Sequence, residues 1–389
     1  MTPHPHTSER RTHPRPQGAS KVAGPMGSPS PRPTLTPAHT AQRRPDARMM
    51  VVQRDLPIRH TTVSHLTEVL EPGDLLVVND AATLPSSLQG HHLPTGEPLE
   101  LRLAANLNPE HHQLTHWIAV VFGEGDWRQD TEHRPPPPHM SPGDRLLLSD
   151  RLTATIEKQL HPSGRLVTLT LDADQGDIWG ALYQVARPIQ YAYHTKPLEV
   201  WDQQTLFAGP PVAVEPPSSG FHLTWSLIFA LQERGVEVVP ITHGTGLSTT
   251  GDPQLDRRWL PLFEPTWITP KAAERIHSAR RSGRRIIAMG TGVTRALESM
   301  TDANGQLHPG RALTLLRLSA QTHLRTVTGL LTGLHQPGSS HAHLLESFIP
   351  AACVCRTYHE ALQHGYLGHE YGDIMLVFAA PPTKPIAEH

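Results

Sequence analysis

The sequence predicts a mixed α/β protein with a small all-β barrel inserted into it. Three observations carry that expectation. Leu75-Leu-Val-Val78 is a continuous apolar run without polar alternation, the pattern of a strand covered on both faces of its sheet. A second apolar run over 285–289 meets a tight turn at Gly290-Thr-Gly292. A helical pattern follows over 293–300, with Val293, Ala296, Leu297 and Met300 on one face. Between these two units, residues 90–177 change character. Short strand-like segments at 98–104, 116–122, 144–148, 152–158 and 165–171 are punctuated by Gly, Pro and Asp, as in a small barrel or sandwich. The expected organisation is a disordered tail over 1–33, an α/β domain over 34–89 and 178–389, and a barrel domain over 90–177.

Bulk properties narrow the function classes. The 389 residues suffice for two domains with a sizeable core. A net charge of −2 does not announce a nucleic-acid binder, although a local basic face remains compatible with one. Cys353 and Cys355 are too few and too close for a disulfide framework, which points to a reducing cytoplasm. No run of about 18 apolar residues offers a membrane span, and the N-terminus lacks the apolar core of a secretory signal. Residues 1–33 are Pro, His, Ser, Thr and Arg with almost no large apolar side chain. They cannot bury enough surface to offset ordering entropy, so they read as a solvated extension or the product of an early start codon.

The remaining elements follow in order. A strand is expected over 48–53. A short helix over 62–70 is stopped by Glu71-Pro-Gly73. The 75–78 strand runs into Asn79 and Asp80, either ligand contacts at a strand's carboxyl end or a simple Asx turn. Helical character returns near Ile178, and Arg187-Pro-Ile-Gln-Tyr-Ala-Tyr193 is an aromatic, polar segment. Pro216-Pro-Ser-Ser-Gly-Phe-His-Leu-Thr224 gathers hydroxyls, a Gly and a His ahead of a helix over 225–234, with Thr224 as its N-cap. It suits a polar ligand, or it is only a capped loop. A strand over 236–241 leads to Thr242-His-Gly-Thr-Gly246. A helix over 270–282 carries Lys271, Arg275, Arg280 and Arg281, joined by Arg284. This is a solvated face or a weak contact to a phosphate backbone. The strand–Gly–helix unit at 285–300 leaves free N–H groups at a helix start, where an anion or polar ligand is favoured, unless the glycines only make the turn. Beyond it come a strand over 314–318, a connecting element over 326–331, helices over 341–348 and 357–364, and a last strand within 371–378. His341 and His343 are two apart, not the i, i+4 spacing of a helical metal pair, and Cys353-Val-Cys355 is no better framed.

Taken in order, five motifs resemble one family. They are Pro72-Gly-Asp-Leu-Leu-Val-Val-Asn-Asp80, Pro217-Ser-Ser-Gly-Phe-His-Leu-Thr224, Gly290-Thr-Gly-Val-Thr-Arg-Ala-Leu-Glu298, Leu334-His-Gln-Pro-Gly-Ser-Ser340 and Tyr371-Gly-Asp-Ile-Met375. The chain resembles a divergent S-adenosylmethionine:tRNA ribosyltransferase-isomerase of queuosine biosynthesis, over about residues 35–378. Asp46-Ala-Arg-Met-Met-Val-Val52 resembles the family's early Arg-Asp-x-x-Arg-Leu region, so a start at Met49 would cut into the fold and one at Met26 would not. The resemblance implies an α/β domain carrying a β-barrel. It also implies a reaction without a metal, in which S-adenosylmethionine donates a ribosyl unit instead of a methyl group. The aminomethyl group of 7-aminomethyl-7-deazaguanine, in the wobble position of tRNA, attacks the ribose. Adenine and methionine leave, and the ribosyl unit rearranges to an epoxycyclopentanediol. The implied protein acts in the cytoplasm as a monomer or weak homodimer, on tRNA and S-adenosylmethionine.

That chemistry needs proton transfer to adenine, a base next to the sulfonium, and oriented partners for the ribose hydroxyls. Matching motif positions nominate His222 and His335 for protons, because neutral imidazole gives or accepts near pH 7. Asp80 and Asp373 would hold hydroxyls or the sulfonium. Asn79, Ser218, Ser219, Gly220, Gly290, Thr291, Glu298 and Tyr371 would shape the substrate pocket. Arg295 would meet the methionine carboxylate or a phosphate, or pair with Glu298 one helical turn away. The sequence also departs from the family pattern. Asn-Asp-Thr-Arg reads Asn79-Asp-Ala-Ala82, Gly-Thr-Thr reads Gly290-Thr-Gly292, Asn-Phe-His-Leu-Pro reads Gly333-Leu-His-Gln-Pro337, and the His of Leu-His-Val-Gly stands one place early as His243. Two other functions therefore compete: transfer of the same ribosyl unit to a non-tRNA acceptor, and a non-catalytic RNA- or nucleotide-binding module on the same scaffold.

Overall fold

Four parallel strands, Glu237–His243, Leu75–Asn79, Ile286–Met289 and Gly329–Gly333, make the middle of a nine-stranded sheet. The computed structural model describes residues 34–39, 46–108, 113–337 and 339–379, so the tail expected over 1–33 lies outside the described residues. On one side the sheet continues antiparallel through Glu264–Ile268 to Gly310–Thr314. On the other, Ile374–Phe378 pairs antiparallel with Gly329–Gly333. Arg48–Val52 and Arg59–Thr62 follow it to the edge.

The apolar run at 75–78 is buried throughout because successive side chains serve opposite faces. Leu75 and Val77 join a core with helices Pro270–Arg281, Thr291–Ser299 and Ala351–Gln363. Leu76 and Val78 join a second core with Leu66 and helix Trp225–Glu233. Thr224 caps that last helix, its side chain accepting from the Leu227 N–H.

The inserted segment forms a closed barrel of six antiparallel strands: Ser87–His92, Pro98–Asn106, His116–Phe122, Arg145–Leu147, Leu152–Gln159 and Leu166–Ala173. Pairing of His91 with Leu147 closes it. Ser87–His92 carries few large apolar residues, which is why pattern alone passes over it. Helix Ile178–Val185 turns Ile178, Ala181 and Leu182 into the barrel core, not toward the large sheet.

Several element expectations need correction. The strand expected over 314–318 is Gly310–Thr314, set by its pairing with Glu264–Ile268 and not by its own β-propensity. The connecting element over 326–331 is the central strand Gly329–Gly333, a short Gly-bounded run that neighbours on both sides recruit. The turn at 290–292 shrinks to Gly290 alone (φ +93°), and the helix already starts at Thr291. The helix expected from 357 begins at Ala351, directly after Pro350.

Candidate active site

The carboxyl ends of the four parallel strands share one rim of the sheet, and most residues singled out from the sequence lie along it. Leu75–Asn79 delivers Asn79 and Asp80, Glu237–His243 delivers Thr242 and His243, Ile286–Met289 delivers Gly290 and Thr291, and Gly329–Gly333 leads to His335. Ile374 stands opposite Gly333 on an antiparallel neighbour, so Asp373 enters at the same rim. Ligands bind at such rims because separate strand ends converge there.

Asn79 works as a clip between two strand ends. Its Oδ1 accepts from the N–H groups of His243 (2.9 Å) and Ala81 (3.0 Å), and its Nδ2 donates to the His243 carbonyl (2.8 Å). Asp80 accepts from the Thr242 hydroxyl at 2.6 Å. Burial raises its carboxyl pKa, against the lowering effect of that bond. Thr242 also lines a 310 Å³ cleft between Asn106 and Asn108 of the barrel and Trp267 and Arg311 of the sheet.

The short helix Ser218–Gly220 lies on the junction between strand Ile286–Met289 and helix Thr291–Ser299. A Cβ placed on Gly290 would stand 3.4 Å from the Ser219 hydroxyl, and one on Gly220 would stand 3.9 Å from the Met289 sulfur. Ser219 and Gly220, with Ser218 just before them, thus lie against the start of the helix that holds buried Thr291. His222 follows at 2 % exposure. Its neighbour Phe221 stacks on Tyr371 at 4.8 Å, and the Tyr371 hydroxyl donates to the Asp202 carbonyl at 2.9 Å.

Arg295 does not pair with Glu298. Its guanidinium lies 2.7 and 2.6 Å from the two carboxylate oxygens of Glu264. Glu264 also lies 3.3 Å from His243 Nε2 and accepts from the Gly246 N–H at 3.1 Å. Burial pushes the Glu264 carboxyl up, but Arg295 and His243 outweigh it and hold it at about 2. Glu298 accepts instead from the N–H groups of Arg325, Thr326 and Val327 at 2.8–2.9 Å, which ties the helix to the strand that follows. Asp373 is similarly committed. It accepts from Arg48 Nη2 at 2.7 Å, Arg48 N at 3.0 Å and Leu367 N at 2.9 Å.

His335 stacks on His341 with ring centroids 4.3 Å apart. Burial, then the nearby His341 and His369, hold the His335 imidazole well below its usual 6.5. Burial, then Arg295, hold His341 at about 4. Both shifts favour the neutral imidazole. From His369 the cluster continues through Tyr193 (4.2 Å between rings) to Tyr191 (5.8 Å). The Tyr193 hydroxyl donates to Glu370, and that of Tyr191 to Glu215. Glu215 also accepts from the Ser248 N–H and hydroxyl at 3.1 Å. Burial pushes its carboxyl to about 7, against these bonds. Glu215, Glu264, His341, His369 and Glu370 were not nominated from the sequence. Single carboxylates and histidines carry no spacing signal, and only the aromatic run ending at Tyr193 hinted at this part of the site.

The basic residues lie elsewhere. Arg275 pairs with Glu237, the first residue of its strand, and Arg284 packs on Gly73, just before Leu75. Lys271, Arg280 and Arg281 are exposed on the same helix. These anchors mark the amino ends of the parallel strands, roughly 15–20 Å from the rim at the usual rise per residue.

The chain matches the family described as queuosine biosynthesis protein over residues 32–377. It is 28% identical over 350 residues to the S-adenosylmethionine:tRNA ribosyltransferase-isomerase of Desulforamulus reducens, covering 86% of this chain and 94% of the relative. It is 30% identical over 351 residues to the enzyme of that name from Acaryochloris marina, covering 89% and 90%. A solved S-adenosylmethionine tRNA ribosyltransferase from Thermotoga maritima superposes over 88% of this chain and 94% of its own, at 21% identity and a TM-score of 0.45. The chain belongs to the queuosine biosynthesis protein family.

Proposed function

We propose that this chain is an S-adenosylmethionine:tRNA ribosyltransferase-isomerase. It transfers the ribosyl unit of S-adenosylmethionine to 7-aminomethyl-7-deazaguanine in the tRNA wobble position, giving epoxyqueuosine with release of adenine and methionine. Beyond family membership, one observation carries the reading: four strand ends bring Asp80, His243, Thr291 and His335 to a single polar rim. The cleft lined by Thr242, the hydrogen-bond partner of Asp80, falls at the small end of ligand-pocket size.

The substrate is a cation at sulfur, and its leaving group must gain a proton. Neutral His335 and His341 suit such a ligand because they offer hydrogen bonds without adding positive charge. Glu215, poised near neutrality, is suited to proton transfer, with Tyr191 and Ser248 fixing its carboxyl. His222 remains a proton-handling residue of this proposal. Asp80 would take a ribose hydroxyl. Arg295 and Asp373 act through what they hold, Glu264 and Arg48 respectively, since their charged groups are already paired.

The test incubates the protein with S-adenosylmethionine and tRNA carrying the aminomethyl base, followed by nucleoside mass spectrometry. Epoxyqueuosine together with free adenine is the expected result. Adenine release only with the free deazapurine base would favour the non-tRNA acceptor, a reading motivated by Ala81 and Ala82 where the family pattern has a hydroxyl and an arginine. No turnover with either acceptor would end the enzymatic reading.

A further inference from the structure

Among the described residues, one trio of side chains away from the strand-end rim has the arrangement of a metal site: His60, Glu360 and His364. His60 comes from the edge strand Arg59–Thr62. Glu360 and His364 are one turn apart near the end of helix Ala351–Gln363. One ligating atom from each lies within 4.8 Å of the others. Glu360 Oε2 is 3.5 Å from His60 Nε2 and 3.5 Å from His364 Nδ1. Two ligands about 2.05 Å from a tetrahedral cation sit about 3.3 Å apart, so the two 3.5 Å separations need only small adjustments, and the two imidazoles must close on each other.

The surroundings support the assignment. His60 Nδ1 is 2.9 Å from the Tyr366 hydroxyl, a partner that fixes the ring and leaves Nε2 aimed at Glu360. Such an outer hydrogen bond is what orients a ligating imidazole. Arg48 donates to the His364 carbonyl and stacks over Tyr366 at 4.3 Å. It is neutralised by Asp373, so it does not repel a cation uncompensated. His364 Nδ1 lies 3.0 Å from the Glu360 carbonyl, so ligation turns the ring from that contact toward the Glu360 carboxylate. The trio is part-exposed, which leaves a path for entry and room for a water as fourth ligand.

We propose that His60, Glu360 and His364 bind one divalent transition-metal cation, with Zn²⁺ the best fit. Two imidazoles and one carboxylate suit zinc and its neighbours, whereas Mg²⁺ and Ca²⁺ require oxygen ligands throughout. The cation would pin the edge strand of the sheet to the last long helix. It is a structural clasp and takes no part in ribosyl transfer.

Titration of the full chain with Co²⁺ and Zn²⁺ tests this. The expected result at pH 7.5 is one saturable Co²⁺ site with tetrahedral visible absorption, displaced by Zn²⁺. Zn²⁺ should also raise Tm by about 2–6 °C. His60→Ala and His364→Ala should each weaken binding at least tenfold and abolish the Tm shift, while the surface control His323→Ala changes neither. Equal binding by wild type and both variants, or no saturable site in the wild type, would overturn the proposal. Circular dichroism of the metal-free variants separates lost binding from lost folding.

Discussion

At Glu215 the fold holds a carboxyl where its neutral and charged forms are close in free energy. Burial raises it from 4.5 to about 7, and Tyr191 and Ser248 only partly offset that. The sign is definite. A carboxyl whose folded pKa is raised binds its proton more tightly folded than unfolded, so its ionisation destabilises the fold as pH rises from about 4.5 to about 7. The stability of the wild-type chain relative to Glu215→Gln, measured by urea unfolding, should therefore decline across that interval. A difference that stays flat would mean that Glu215 is already ionised when folded. Glu264 shows the opposite case. It is equally removed from water but held at about 2, because Arg295 and His243 stand beside it. Its contribution is present above about 4.5 and is lost as pH falls toward 2. Two buried glutamates are thus separated by their partners, not by their residue type.

The helix Thr291–Ser299 explains why two departures from the family pattern occur together. A Cβ on Gly292 would lie 2.7 Å from His243 Cδ2 and 3.2 Å from its Nε2. The imidazole of His243, one place early on its strand, occupies the space that a threonine at 292 would need. Its Nδ1 is anchored to the Thr266 hydroxyl at 2.8 Å, so it has little freedom to withdraw. Gly292→Thr alone is expected to destabilise the protein by about 1–3 kcal/mol through overpacking. Combining it with His243→Ser should recover about 1 kcal/mol or more, as coupled neighbours do. Chemical denaturation of the four proteins in this cycle checks it, and simple additivity of the two changes would refute the contact. Sequence comparison with the family pattern exposes each departure singly, but their meeting depends on the docking of a helix start against a strand end.

For the whole molecule, the sheet has two ends with different chemistry. Polar and titratable groups gather at the carboxyl ends of the parallel strands. The cluster of Arg275, Arg284 and Arg285 with Glu237 and Asp74 holds the amino ends together. Arg280, Arg281 and Arg284, at or just past the end of helix Pro270–Arg281 that lies beside these anchors, are poorly placed to guide RNA to the rim. Exchanging Arg280 and Arg281 for alanine should leave the salt dependence of tRNA binding unchanged, since each lost phosphate contact would flatten the slope by nearly one unit. A flatter slope would restore that helix as an RNA contact. No helix among the described residues is long and apolar enough to cross a membrane.

The sequence alone determined the local alternatives: which runs are strands buried on two faces, where the barrel segment interrupts the α/β pattern, and which loops carry hydroxyls, histidines and carboxylates. These are legible because burial imposes a periodicity on neighbouring residues. It did not determine Gly329–Gly333 as a central strand, since that short run owes its place to partners on both sides. Nor did it assign Asp373 to Arg48, Glu298 to the 325–327 backbone, or Glu215 to Tyr191, because these pairs are separated by up to 325 positions. Only tertiary structure decides such pairings, and through them which carboxylates are spent on holding the fold and which remain to meet a substrate.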